Sequence, residues 1–394
     1  MPNRFLLAFD KFKDSMTAQE ATRRAKLAIL AKYPTAQIHE APLTDGGEGF
    51  CEILSNTAGG SLETHQNCGP RFEQLDSLLG FVEAGKLPKA ALAQLNLPES
   101  VSRIAVIEMA QAAGIQSVPV DARDARHTTT YGVGQQIQQA LDGGAEAILL
   151  GVGGSATSDC GLGALEALGF QFFSESDEPI TELKPANFPE IARIERPASA
   201  LDFPPIRIAC DVNNPLLGPC GAAHVFGPQK GLKSEEIPAF DSEIGRIADL
   251  LCGACSVTAE ALETPGAGAA GGIAAGLLVA CGAQLVPGFS LVRAWLDLEK
   301  ALAKADFLIT GEGKWDRSSL DGKGPFAIIK AVADRPVDVL LVAGALEIDA
   351  VAPVADKLTG KMDTVELRDL DKTLKENLAA GPERLSALLG AYFA

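Results

Sequence analysis

The stretch Ala147-Ile-Leu-Leu-Gly-Val-Gly-Gly-Ser-Ala-Thr-Ser-Asp-Cys-Gly-Leu-Gly-Ala-Leu-Glu-Ala-Leu-Gly169 constrains the fold most. Ala147 to Leu150 is a short apolar run and reads as a buried strand. Gly151 to Asp159 holds three glycines and three hydroxyl side chains, a loop composition. Leu162, Leu165 and Leu168 then recur at helical spacing, and Gly169 supplies a stop. A strand, a glycine-rich loop and a helix in this order form the unit of a parallel α/β sheet. Backbone without Cβ atoms can approach a phosphate closely, and a helix N-terminus offers N–H groups and a positive dipole end. Gly153, Gly154, Ser155, Thr157 and Asp159 are therefore candidate phosphate-binding residues. The same spacing serves tight strand–helix packing. It also satisfies a relaxed dinucleotide fingerprint, Gly151, Gly153 and Ala156 with Glu175 beyond, so an NAD-dependent dehydrogenase is the rival enzyme. A second match, Gly266, Gly268 and Gly271, follows Pro265 and has no clear strand before it.

Other apolar runs also end in polar turns. Phe5 to Phe9 ends at Asp10, and the turn carries Lys13 and Ser15. Thr17 and Glu20 have capping-box spacing for a helix that Pro34 stops. Ile38 to Leu43 precedes Thr44-Asp-Gly-Gly-Glu-Gly49, where Asp45 and Glu48 are candidates for a general base or a metal ligand. The alternative for this turn is a helix cap, with Thr44 or Asp45 capping a helix around residues 50–56. Arg103 to Glu108 reads as a strand, residues 171–205 as an irregular excursion, and Ile206 to Cys210 as a strand before Asp211 and Asn213. Phe307 to Thr310 reads as a strand followed by a loop with Glu312 and Asp316. Parallel α/β units at both chain ends around a different middle suggest one domain inserted in another: residues 1–58 with 290–394, and residues 59–289.

The chain has 394 residues, 47% hydrophobic and 22% charged, long enough for two domains. Its net charge of −17 and lack of a basic face argue against a nucleic-acid partner. No apolar run reaches the length of a membrane span, and residues 1–10 lack a signal-peptide pattern. Eight scattered cysteines suit a reduced, cytoplasmic protein, and Cys252-Gly-Ala-Cys255 has no second pair with which to build a zinc site. Nothing in the sequence specifies the oligomeric state.

The motifs taken together carry a resemblance. Lys13-Asp-Ser, Thr44-Asp-Gly-Gly-Glu-Gly49, Gly153-Gly-Ser-Ala-Thr157 and Cys210-Asp-Val occur in order with Asn214-Pro-Leu and Phe226-Gly-Pro-Gln-Lys-Gly231. Pro265-Gly-Ala-Gly-Ala-Ala-Gly-Gly272 and Ile309-Thr-Gly-Glu-Gly313 with Gly322-Lys323 complete the set. It resembles the bacterial type-1 glycerate kinases from about residue 5 to residue 345. The resemblance implies a Rossmann-like parallel-sheet domain built from both chain ends, a second inserted α/β domain, and an active site in the cleft between them. It implies Mg²⁺-dependent transfer of the γ-phosphoryl group of ATP to D-glycerate, commonly giving 2-phosphoglycerate. Within it, Lys13 is the candidate for the glycerate carboxylate or the phosphoryl group. Asp45 is the candidate base and Asp211 the candidate metal or second polar ligand. Asp10, Ser15, Glu48, Asn213, Lys230, Glu312, Asp316 and Lys323 form a second tier. The family usually has Asn and Gly where Ser158 and Cys160 stand, and Gln at Ser318. These departures keep a related small hydroxy acid as the alternative acceptor. A ribokinase-like sugar kinase would place a catalytic Asp where Ala269 stands.

Overall fold

The computed structural model describes residues 3–197, 203–321 and 324–394. The chain divides into two units. One comprises the chain up to Thr44 together with Val292–Ala394, and the other Asp45–Leu291.

The unit built from the chain ends is a doubly wound α/β layer structure around a five-stranded, all-parallel sheet. Its strands run Gln37–Glu40, Arg4–Phe9, Phe307–Trp315, Asp338–Leu346 and Met362–Glu366 from one edge to the other, the order 2-1-3-4-5. Strands in the middle of such a sheet are covered on both faces. Phe5 to Phe9 and Leu308 to Thr310 therefore read as unbroken buried runs, not as an alternation. On one face Phe5, Leu7, Ile309 and Val342 pack with Ala21 and Ile29 of the helix Ala18–Lys32 and Leu385 and Leu389 of the helix Leu374–Tyr392. Thr17 caps the first of these helices by accepting the Glu20 amide proton, but Glu20 pairs with Arg24 instead of closing the capping box. The complete capping box is Thr373–Glu376, on the last helix.

The inserted unit has a six-stranded mixed sheet. Arg103–Glu108, Ala147–Gly151, Ile206–Ala209 and Gln284–Val286 are parallel, and Ser61–Cys68 and Gln74–Glu83 extend the sheet antiparallel. Ile107, Ile148, Leu150, Ile208, Leu165 and Ile273 lie in one continuous core. No helix among the described residues is long and apolar enough to cross a membrane.

Three sequence expectations are corrected here. The first unit boundary falls at Thr44, not residue 58. The helix Phe50–Thr57 packs on the inserted sheet, where the Cys51 thiol donates to the Val106 carbonyl at 3.1 Å. The 171–205 segment includes a small antiparallel sheet, Gln171–Phe173 with Pro179–Ile180 and Arg193–Glu195, strands too short to register as a pattern. The strand beginning at Phe307 runs on to Trp315, because its parallel neighbour Asp338–Leu346 pairs with it on both sides of Gly313. Glu312 is thus a strand residue and not a loop residue.

Candidate active site

In the inserted unit the carboxyl ends of the parallel strands bring Glu108, the Gly151–Asp159 loop, Asp211 and the Pro287–Phe289 turn to one side of the sheet, the usual ligand side of such folds. The Asp45–Gly49 segment lies across it. The Gly153 amide donates to the Gly46 carbonyl at 3.0 Å. A Cβ on Gly153 would stand 2.6 Å from the Gly47 Cα, so the two backbones meet because Gly153 lacks a side chain. Gly288 makes the third close approach: a Cβ there would lie 2.7 Å from the Asp45 carbonyl and 3.2 Å from Asp211 Oδ2. Asp211 Oδ2 accepts the Phe289 amide proton at 2.8 Å. The Asp45 backbone and the Asp211 carboxylate, remote in sequence, are therefore held against the same glycine. Asp45 is exposed, and its Oδ1 accepts the Gly47 amide proton at 3.3 Å. Glu48 is exposed and accepts from Gln116 at 3.0 Å, and Asn213 is exposed.

The glycine-rich loop is built differently from the expected free helix terminus. The helix Leu162–Ala167 is short, and its first amides are already satisfied. Asp159 is fully buried and accepts from Thr130 N and Oγ1, both at 2.8 Å, from Gly161 N at 3.1 Å and from Gly163 N at 3.2 Å. The Ala164 amide donates to Thr130 Oγ1, and the Ala156 amide to the Ala113 carbonyl. Burial pushes the Asp159 pKa up against the pull of these donors. Asp159 thus organises the loop from inside. Lys230 does the same from another side: it is buried and donates from Nζ to Ser155 Oγ at 2.9 Å and to the Thr157 carbonyl at 2.6 Å. Burial draws its pKa down to about 7, opposed by the charge of Asp159. Among the side chains of this loop, the buried hydroxyls of Thr157 and Ser158 have no protein partner. Gly154 takes a left-handed φ of 71° at the loop's outer corner. The second glycine motif packs against backbone, with Gly268 on Pro215 and Gly271 on Thr157.

In the chain-end unit the strand order reverses between Arg4–Phe9 and Phe307–Trp315: Asp10 and Lys13 follow the first strand, and Glu312 lies within the second, next to the Gly311 that pairs with Phe9. Lys13 is exposed, whereas Ser15 donates its hydroxyl proton to the Leu378 carbonyl at 2.7 Å and so ties the turn to the last helix. Burial pushes the Glu312 pKa up to about 7, with Ser319 opposing and the charges of Asp10 and Asp316 adding to the rise. Asp316 is engaged locally, accepting from Lys314 at 2.7 Å and from the Ser318 amide at 2.8 Å, which hold it well below the usual carboxylate range. Lys323 and Gly322 lie outside the described residues.

The glycerate kinase family profile matches residues 5–391. The chain belongs to the glycerate kinase family. A glycerate kinase of Haemophilus influenzae is 34% identical over 99% of this chain and the whole of that protein. The glycerate 2-kinase of Escherichia coli K12 is 34% identical over 88% of this chain and 86% of its own. A crystal structure assigned to glycerate kinase 2 of Salmonella typhimurium LT2 superposes with a TM-score of 0.75 at 32% identity, covering 99% of this chain and 97% of that one. Family membership makes the protein a kinase, with ATP as co-substrate and glycerate as acceptor. Nothing in the comparisons supports a dehydrogenase.

Two of the three departures from the family wording, Cys160 and Ser318, are engaged locally, whereas the Ser158 hydroxyl is buried without a protein partner. Cys160 is buried, takes a left-handed φ of 54° and packs in the core, and its amide donates to the Gly271 carbonyl at 3.1 Å. Ser318 turns back on Asp316. Both serve local folding.

Glu108 is the residue that the sequence reading missed as a site component. It closes its strand, is almost fully buried, and accepts the Cys51 amide proton at 3.2 Å and a bond from Gly49, so it caps the helix behind the Asp45 loop. The expected caps, Thr44 and Asp45, make no such bond, and the N-cap position is Gly49. A strand ending on an acid, as at Asp10 and Asp211, was the available signal. Burial raises the Glu108 pKa to about 7 from a usual 4.5. Between those values the unfolded chain has lost the proton that the folded chain keeps, so stability falls as pH rises from 4.5 toward 7. Glu108→Gln retains an acceptor and removes the titration. Urea titrations at pH 5 and pH 8 are expected to show a smaller pH loss in the variant than in the parent protein. An equal loss in both would exclude Glu108 as its source.

Proposed function

We propose that the protein transfers the γ-phosphoryl group of ATP to the 2-hydroxyl of D-glycerate, giving 2-phosphoglycerate, with Mg²⁺ as the required cation. The full-length family match carries the reaction class, and the name of the Escherichia coli relative supports the 2-position. Cys160 and Ser318 are engaged in packing and turn formation, which leaves Ser158, with its buried and unpartnered hydroxyl in the glycine-rich loop, as the departure that keeps a related hydroxy acid as the alternative acceptor.

Phosphoryl transfer depends on positioning and charge neutralisation. Asp45 is the proposed base: its exposed carboxylate stands on a backbone immobilised by the Gly46–Gly153 bond, so it can take the hydroxyl proton without the loop moving. Mg²⁺ needs only one or two carboxylates beside phosphate oxygens and water. No cluster of three or more metal-binding side chains is found among the described residues, and this cation does not require one. Asp211 offers the hard oxygen donors that would hold it, and the bound ion would neutralise charge on the transferring group. Gly153 to Thr157 present glycine backbone and hydroxyls to the phosphates, held in shape by Asp159 and Lys230. Lys13, in the turn after the first strand with Asp10, and with Glu312 on the neighbouring strand, is the proposed cation for the glycerate carboxylate or the phosphoryl group. A reducing, ATP-containing compartment such as the cytoplasm fits eight thiols that form no disulfide. The partners are small molecules, and the charge of −17 does not suit nucleic acid.

A coupled ADP-release assay with D-glycerate, ATP and Mg²⁺, followed by ³¹P NMR of the product, tests this reading. Turnover with the phosphorus coupled to the C2 proton is expected. Coupling to the C3 protons would reassign the position, and no turnover by folded protein would overturn the acceptor.

A further inference from the structure

The chain-end unit contains a cavity of about 220 Å³ that none of the assigned residues explains as a whole. We propose that this cavity seats the adenine ring of ATP. The inference rests on the kinase reading above and extends it to the nucleotide.

Position comes first. The cavity is bounded by residues at or just beyond the carboxyl ends of four strands: Phe12 after Arg4–Phe9, Gly313 within Phe307–Trp315, Gly344 within Asp338–Leu346, and Leu367 after Met362–Glu366. In open parallel sheets ligands bind outside the carboxyl ends, at the point where strand order reverses. Here that reversal lies between Arg4–Phe9 and Phe307–Trp315, so Phe12 and Gly313 stand at it.

The lining gives the chemistry. The walls are mostly apolar, with Phe12, Ala345, Leu367 and Leu378 contributing. Leu374 lines the cavity while remaining 76% exposed, an apolar surface that a ring inserted there would cover. Three cations, Lys13, Arg368 and Lys372, also line it, in a chain whose net charge is −17. Arg368 pairs with Glu366 at 2.9 Å and Lys372 approaches Asp369 at 3.9 Å, whereas Lys13 forms no ion pair among the described residues. An apolar slot with cations around it matches a flat, weakly polar body that carries an anionic tail.

Of the two substrates of a glycerate kinase, only the nucleotide has such a body. Glycerate is a three-carbon acid with two hydroxyls and would leave the apolar walls uncovered. Size agrees: 220 Å³ is smaller than the roughly 300–1,000 Å³ of pockets that enclose a whole drug-sized ligand. The cavity therefore takes a ring system and leaves sugar and phosphates outside.

Two variants test the assignment. Ala345→Phe fills the cavity from a half-buried wall position. Leu374→Asp alters an exposed residue at the start of a helix, where an acid is well tolerated, so the fold is kept while the rim loses apolar surface and gains negative charge. Calorimetry with a non-hydrolysable ATP analogue and Mg²⁺ is expected to show binding weakened by about tenfold or more in each, equivalent to about 1.4 kcal/mol. The KM for D-glycerate is expected to stay within about twofold, since a contact confined to the nucleotide leaves acceptor binding alone. Inorganic tripolyphosphate is expected to bind the parent protein far more weakly than the analogue does. Parental affinity for the analogue in both folded variants would overturn the assignment, as would tripolyphosphate binding as tightly as the analogue. A raised glycerate KM with unchanged nucleotide affinity would give the cavity to the acceptor instead. If the parent protein binds the analogue yet does not turn over glycerate, the acceptor reading fails while the calorimetry still decides the cavity.

Discussion

Asp45→Asn is expected to lower kcat by about 10²–10⁴ and to leave the fold unchanged, the range that general-base catalysis supplies. The structure makes this a clean substitution. Asp45 is exposed, and the bond it accepts from the Gly47 amide at 3.3 Å reaches Oδ1, an atom that asparagine keeps. The loop itself is fixed by backbone, through the Gly153–Gly46 bond and the contact of Gly288 with the Asp45 carbonyl, neither of which uses the side chain. What asparagine lacks is the capacity to take a proton. Steady-state kinetics with a urea titration in parallel separate the two effects, and stability is expected within about 0.5 kcal/mol of the parent, as for exposed sites generally. A near-parental kcat would remove Asp45 from the base role. Asp211→Asn provides the contrast: a metal-holding role predicts activity that recovers toward parental as Mg²⁺ is raised, which a missing base would not show.

Asp159→Ala is expected to have the largest effect on stability. Asp159 is fully buried and receives bonds from Thr130 N, Thr130 Oγ1, Gly161 N and Gly163 N, the longest at 3.2 Å. Alanine leaves these donors facing an apolar gap. An orphaned buried donor costs about 1–3 kcal/mol, so the total is several kcal/mol. That is a large fraction of the roughly 5–15 kcal/mol that holds a domain folded. Urea denaturation is expected to show a large drop in midpoint or no soluble protein. Asp159→Asn keeps one acceptor oxygen but turns an amide NH₂ toward existing donors, so an intermediate loss is expected. If Asp159→Ala unfolded at the parental urea concentration, the loop would be held by Lys230 and the glycine contacts without it.

The legibility of this chain differs from feature to feature. Phe5 to Phe9, Arg103 to Glu108, Ala147 to Gly151 and Ile206 to Ala209 were readable as strands because parallel strands buried on both faces leave continuous apolar runs. The partition into chain ends and middle was readable because strand–turn–helix units recur at both ends. Its first boundary was not. The helix Phe50–Thr57 carries a generic apolar face, and nothing local says which sheet receives it. The full length of the strand Phe307–Trp315 is not legible because glycines normally interrupt strands, whereas here the partner strand pairs with Gly311 and resumes after Gly313.

The candidate site shows the same division. Local sequence marked Asp10, Asp45, Asp211 and Lys13 because residue type and position after an apolar run are enough to name a residue at a strand end. It also determined the reaction class, through ordered motifs spread over nearly the whole chain, since each motif restricts only a few positions and their sequence is what identifies the family. The tertiary structure alone decided which of those groups meet and which are consumed. It set the Asp45 backbone and the Asp211 carboxylate against the same glycine, Gly288, turned Asp159 and Lys230 inward as supports of the loop, and brought in Glu108 as the cap behind it. The physical reason is that a charged side chain reads the same in sequence whether it faces solvent or the interior. Burial and hydrogen-bond partners, which set its pKa and its role, are properties of residues far away along the chain.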